Sequence, residues 1–91
     1  MKVSISILGI RADNGKKAAE MNISEQSSAK DLILEFAQTL TDPDLIADKD
    51  GNLKKHLIIQ VNKKRVLTGK AADLILKDGD EVVVYPSVSG G

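Results

Sequence analysis

Apolar residues alternate with polar ones near both ends of this 91-residue chain, and only one stretch between them has the spacing of a helix. Val3, Ile5 and Ile7 alternate with serines, which is the period of a strand that buries one face. Near the other end, Val82 and Val84 alternate in the same way, so we expect them to face the helix. These patterns predict an α+β fold in which one helix packs on a sheet.

The predicted helix begins after Ser28, which has capping-pair spacing with Asp31. Its apolar stripe comprises Ala29, Leu32, Ile33, Phe36, Ala37 and Leu40. Pro43 is expected to end the helix, because proline disfavours helical geometry in the residue before it. Leu34 lies off the stripe and is either a half-exposed helix former or a contact for a partner protein.

The remaining segments predict the order ββαβ(β)β. A turn cluster at residues 11–17 leads to a weak second strand at 19–23, and a central strand covers 57–61. Residues 66–67 allow only a short edge strand, and the last strand is predicted at 81–85. Residues 42–52 carry enough charge to be a solvated loop. The prediction is therefore one domain over residues 1–86, with a four- to five-stranded sheet, followed by a flexible tail at 87–91.

The residue inventory argues against catalysis by the chain itself. It has no cysteine, one histidine, one tyrosine and one phenylalanine. Disulfides, thiolate metal sites and a cysteine nucleophile are therefore excluded, and histidine acid–base pairs are scarcely available. His56 has no second histidine to form a set, and the Asp48–Gly51 cluster lacks the spacing of a calcium loop. We predict no metal site and no bound cofactor.

Charge leaves the partner open, because thirteen basic and thirteen acidic residues balance. Five basic residues could form a patch if their loops converge: Lys54, Lys55, Lys63, Lys64 and Arg65. Three interpretations of such a patch are open: a solvated face, a nucleic-acid site, or a binding surface for an acidic protein. We favour the solvated face. No apolar run is long enough to span a bilayer and Met1 to Leu8 lacks signal-peptide features, which predicts a cytoplasmic protein that binds neither membrane nor nucleic acid.

The chain ends in Gly90 and Gly91, which folding does not require. Without side chains, a glycine tail can enter a narrow channel and adopt backbone angles barred to other residues. The terminal carboxylate then becomes the reactive group. An adenylyl group transferred from ATP would convert it to an acyl phosphate anhydride, which a sulfur nucleophile can attack.

Two stretches carry a family resemblance. Asp78 to Val82, followed by Tyr85, Pro86, Val88 and Gly90–Gly91, is similar to the ending of the MoaD family, the small subunits of molybdopterin synthase. Residues 50–57 and the Val61–Asn62 pair also resemble small archaeal modifier proteins of the same ubiquitin-like β-grasp fold.

The resemblance implies specific roles and partners. Gly91 would be adenylylated by an E1-like (MoeB-like) adenylyltransferase that uses ATP, and would then carry sulfur as a thiocarboxylate. Gly90 and the tail segment Pro86, Ser87, Val88 and Ser89 would lie extended in the large, MoaE-like subunit of molybdopterin synthase. Val83 and Tyr85 would form the docking face. The chain would thus be a non-catalytic sulfur donor in molybdenum or tungsten cofactor synthesis.

The acceptor of the sulfur stays open on the same resemblance. Ser87 stands where many family members have a second proline, which predicts a looser tail. The same fold and ending also serve sulfur donation to thiazole or transfer RNA, and attachment to lysines of target proteins.

Overall fold

A computed structural model describes residues 1–10 and 15–86. The chain forms five strands and one α-helix in these ranges: β1 Lys2–Ile10, β2 Gly15–Asn22, α1 Ala29–Ala37, β3 Leu57–Val61, β4 Lys64–Val66 and β5 Glu81–Pro86. Two 3₁₀ turns lie at Pro43–Leu45 and Thr68–Lys70. No helix in the described ranges is long and apolar enough to cross a membrane.

The strands form one mixed sheet in the order β2-β1-β5-β3-β4. The two terminal strands, β1 and β5, lie side by side at its centre and run parallel, while the other neighbours are antiparallel. This arrangement confirms the predicted mixed sheet with one helix. Because β5 is central, Pro86 lies at the end of a middle strand of the sheet and not of an edge strand.

One face of the sheet packs on α1. Val82 and Val84 are fully buried, as the alternation predicts, and they lie beside Ile5 and Ile7 of β1. The helix contributes its predicted stripe to the same core: Ala29, Leu32, Ile33, Phe36 and Ala37. Fully burying side chains of this size stabilises a fold by about 1.5–3 kcal/mol each.

The predicted capping pair starts the helix. The Asp31 amide donates to Ser28 Oγ at 3.1 Å, and the Ser28 amide donates to an Asp31 carboxylate oxygen at 2.9 Å. The helix ends at Ala37, earlier than the stripe predicted. The amides of Thr39 and Leu40 bond the carbonyls three residues back, so the last turn is tightened but still buries Leu40.

The prediction of a solvated loop at residues 42–52 is wrong in part. Ile46 is fully buried and Ala47 is nearly so, although their charged neighbours are exposed. The 3₁₀ turn at Pro43–Leu45 leads Ile46 into the core, where its carbonyl accepts the Lys54 amide at 2.9 Å. Three successive apolar residues, 45–47, in a polar run have no periodicity, which is why the pattern did not indicate that two of them are buried.

Candidate functional site

The last strand brings the start of the C-terminal tail to one end of the sheet, which we call the exit end. Pro86 pairs with Leu57, the first residue of β3, so residues 54–56 also lie at this end. Pro86 is the last described residue. The predicted tail and reaction site, Ser87, Val88, Ser89, Gly90 and Gly91, lie outside the described residues.

Gly9 lies against Pro86 at the exit end. Its φ is +74°, and a Cβ built on it would lie 3.4 Å from Cδ and 3.6 Å from Cγ of Pro86. Here β1 carries one residue more than β2, since the register shifts between Leu8 and Ile10. Gly9 is therefore a glycine bulge, which bends the strand. The sequence interpretation missed this residue, although a glycine that interrupts an alternating strand is the signal for a bulge.

Val83 and Tyr85 lie on the sheet face opposite the helix, which we call the open face. Both are half-buried. On β3, Gln60 pairs with Val83 and Ile58 pairs with Tyr85. The Gln60 amide Nε2 lies 3.3 Å from Tyr85 Oη and donates to it, which fixes the phenol across the two strands. The structure thus brings the two predicted docking residues together on one surface.

Apolar side chains cross the open face near the exit end. Tyr85 pairs with Ile58 on one side, and the β1–β5 register continued by one pair sets Leu8 on the other. Leu67 directly follows β4 and is 64% exposed. We call these four residues the apolar strip: Leu8, Ile58, Leu67 and Tyr85. A partly exposed strip of this kind beside a strand end is a candidate protein-contact surface.

The Asp78–Gly79 pair holds the opposite end of the sheet together. The Lys2 amide donates to Asp78 Oδ1 at 2.7 Å, and the Gly79 amide donates to the Lys2 carbonyl at 2.7 Å. Gly79 has φ +88°, a conformation that favours glycine. These bonds tie the turn before β5 to the start of β1, so this part of the family-like ending is structural.

Asp80 and Asn62 make a second link at the same end. Asp80 accepts from the Lys77 amide at 2.8 Å and from Asn62 Nδ2 at 2.9 Å, while Asn62 Oδ1 accepts the Glu81 amide at 3.0 Å. Asn62 has φ +53°, which asparagine tolerates better than most residues. Both carboxylates of the turn therefore accept backbone amides.

The Asp48–Gly51 cluster is also a turn. Asp48 Oδ1 accepts the amides of Asp50 at 2.9 Å and Asn52 at 3.0 Å, which is the Asx pattern of a tight loop. Within residues 1–10 and 15–86, no three histidine, aspartate or glutamate side chains are grouped to hold a metal. His56 is exposed at the exit end, one residue before β3.

Solved structures share this fold. SAMP1 from Haloferax volcanii superimposes with a TM-score of 0.73 at 20% identity over 100% of both chains. The putative molybdopterin converting factor subunit 1 from Pyrococcus furiosus gives 0.67 at 27% identity over 97% of this chain and 99% of that one. A chain of the BexX/CysO complex from Amycolatopsis orientalis gives 0.70 at 23% identity over 98% and 99%.

These similarities identify the fold as ubiquitin-like β-grasp, as the resemblance implied. No sequence among the curated proteins matches the chain significantly. The profile of the ThiS family, however, matches residues 12–91, which include the terminal Gly-Gly. The chain therefore belongs to the ThiS family of ubiquitin-like sulfur carriers.

Proposed function

We propose that this chain donates sulfur to molybdopterin synthesis through a thiocarboxylate on Gly91. The terminal carboxylate attacks the α-phosphate of ATP and releases pyrophosphate, which leaves an acyl adenylate. A sulfur nucleophile then displaces AMP. The carrier supplies the acyl group, and an E1-like enzyme supplies the catalysis.

The observation that carries this proposal is the position of the apolar strip relative to the tail. Tyr85 is one residue before Pro86, so a partner covering Tyr85 and Ile58 lies where the last five residues begin. A fully extended residue spans at most about 3.3–3.6 Å, so five residues reach about 17 Å beyond Pro86. That reach suits a channel whose mouth is next to the docking surface.

The proposed sulfur acceptor, the pterin precursor of molybdopterin, rests on sequence similarity. The Pyrococcus furiosus protein similar to this chain is described as a putative molybdopterin converting factor subunit, and the family-like ending matches that class. The proposed partners are an E1-like adenylyltransferase and a large molybdopterin synthase subunit. Because adenylylation needs ATP, the proposal places the chain in the cytoplasm.

Intact mass spectrometry tests the chemistry. The purified chain is incubated with ATP, a cognate activating enzyme and a sulfide donor. We expect a mass gain equal to replacing one oxygen by sulfur, located in the C-terminal peptide. Deleting Gly91 should abolish the gain, whereas Ser89→Ala, which keeps both glycines, should retain it. An unchanged mass with an enzyme that activates a related carrier would contradict the proposal.

The thiocarboxylated chain then tests the acceptor. Mixed with the large synthase subunit and the pterin precursor, it should yield dithiolene and return to its carboxylate mass. Lysine-linked adducts or thiolated transfer RNA in a cell extract, without dithiolene formation, would instead identify a protein modifier or a carrier for RNA thiolation.

A further inference from the structure

Positive charge is concentrated in one part of the chain. Residues 51–72 hold six basic residues and no acidic one, which leaves seven basic residues and all thirteen acidic ones elsewhere. We call the six residues the basic edge: Lys54, Lys55, Lys63, Lys64, Arg65 and Lys70. The net charge of zero is therefore the sum of a strongly basic segment and an acidic remainder.

The fold places this segment along one side of the sheet. It comprises β3, β4 and the second 3₁₀ turn, and β4 is the outermost strand. Lys55 lies two residues before Leu57, the partner of Pro86. Because β4 is antiparallel to β3, its end at Val66 leads back toward the exit end. Thr68 and Gly69, which directly precede Lys70, line one cavity with Lys55.

The basic side chains are available to a partner. All of the basic edge is exposed except Lys54, which is half-buried. Lys54 and Lys55 line an open cavity of about 470 Å³ together with Lys30 of the helix. Asp48 shares that cavity, but its Oδ1 is occupied by two backbone amides. Positive charge therefore dominates the surface beside the start of the tail.

Protection of an edge strand explains only part of this charge. Lysine and arginine on an outermost strand prevent edge-to-edge pairing, which accounts for Lys64 and Arg65. Lys55 and Lys70 lie outside β4 and protect no strand edge. Lys55 lies two residues before the strand partner of Pro86, and the turn that carries Lys70 lies beside Lys55, which indicates a role connected with the tail.

An acidic protein surface fits the basic edge better than nucleic acid does. The acidic remainder of the molecule would repel a long polyanion, and the chain has only one tyrosine and one phenylalanine on which bases could stack. A small acidic surface on a partner protein would contact only the basic edge. Arg65 pairs in register with Gln60 on the open face, so one partner can make apolar and basic contacts side by side.

We propose that the basic edge, acting through Lys55 and Lys70, receives an acidic rim beside the channel that takes the tail in the activating enzyme. This inference rests on the proposed function. Complementary charge of this kind raises the association rate and sets orientation. It thereby aligns the tail with the channel before the apolar strip is covered.

The test measures pyrophosphate release by the activating enzyme, with the full chain as substrate, at low and high salt. We expect kcat/KM of the wild-type chain to fall about tenfold between about 50 mM and about 500 mM NaCl, because salt screens exposed charges. Lys55→Glu with Lys70→Glu should lower kcat/KM about tenfold or more at low salt, flatten the salt dependence and leave kcat unchanged. The milder Lys55→Gln with Lys70→Gln should give an intermediate loss.

Lys49→Glu with Lys77→Glu is the matched control, because both residues are exposed, lie outside the basic edge and give the same net charge. Equal losses for the two reversed pairs, or none for either, would overturn the inference. Transfer RNA binding that requires Lys55 and Lys70, without an effect on activation, would overturn it in favour of nucleic acid. No activation of the wild-type chain at any salt concentration would overturn the proposed function and the inference with it.

Discussion

Gly9 and Pro86 are in contact across two strands, with a Cβ position on Gly9 only 3.4 Å from Pro86 Cδ. The glycine bulge of β1 thus lies under the residue from which the tail departs. That distance is an ordinary van der Waals contact, so an alanine methyl group would fit. The positive φ of +74° is the constraint that a side chain would violate.

Gly9→Ala should therefore destabilise the fold by about 1–2 kcal/mol, the usual cost of a left-handed conformation for a residue with a Cβ. Unfolding in urea measures this loss of unfolding free energy. Gly69→Ala is the control, because Gly69 has no positive φ and nothing within 4 Å of its Cβ position. A loss at Gly69 as large as that at Gly9 would contradict the explanation.

Asn62→Ala should cost about 2 kcal/mol of unfolding free energy. It removes two side-chain hydrogen bonds, to Asp80 and from the Glu81 amide, each worth about 0.5–1.5 kcal/mol. Alanine also tolerates φ +53° less well than asparagine does. Asn62→Gly relieves the backbone strain, so it should lose roughly half as much. Equal losses for alanine and glycine would show that φ contributes nothing here.

Ser28→Ala should destabilise the chain by about 1–2 kcal/mol, because the buried hydroxyl accepts the Asp31 amide and completes the capping box. Ser28→Thr keeps the hydroxyl and should lose less. Thermal unfolding followed by circular dichroism compares the three chains. A threonine variant as unstable as the alanine variant would attribute the loss to packing and not to the cap.

Ile58→Thr should lower kcat/KM for activation about tenfold with little change in stability, because Ile58 lies half-exposed in the apolar strip and threonine suits a strand. Ile75→Thr is the same substitution at a residue that is 44% exposed and bridges to Ser28 on the helix side. It should activate normally. Equal losses of kcat/KM at the two positions would show that the open face is not part of the docking surface.

Local patterns predicted much of the fold. Alternation gave β1 and the buried faces of Val82 and Val84, and spacing gave the Ser28–Asp31 cap, because these features depend on residues a few positions apart. Helix length and the burial of Ile46 were not predicted. Both depend on what the loop after the helix packs against, which lies elsewhere in the chain.

The candidate site was likewise predictable from local sequence only in part. Strand period predicts that Val83 and Tyr85 share a face, and the family-like ending predicts that Gly90 and Gly91 form the reactive terminus. Their docking role and the tail roles stay predictions. The partners of Tyr85, which are Ile58 and Gln60, lie 27 and 25 residues earlier, so no local pattern indicates them.

The sequence by itself determined the order of elements, the helix cap and the glycine terminus, because each depends on neighbouring residues. Only the tertiary structure decided that Gly9 lies next to Pro86 and that the segment carrying Lys55 lies at the same end of the sheet. Sheet register makes those choices, since parallel pairing of the two terminal strands brings distant segments to one end of the sheet.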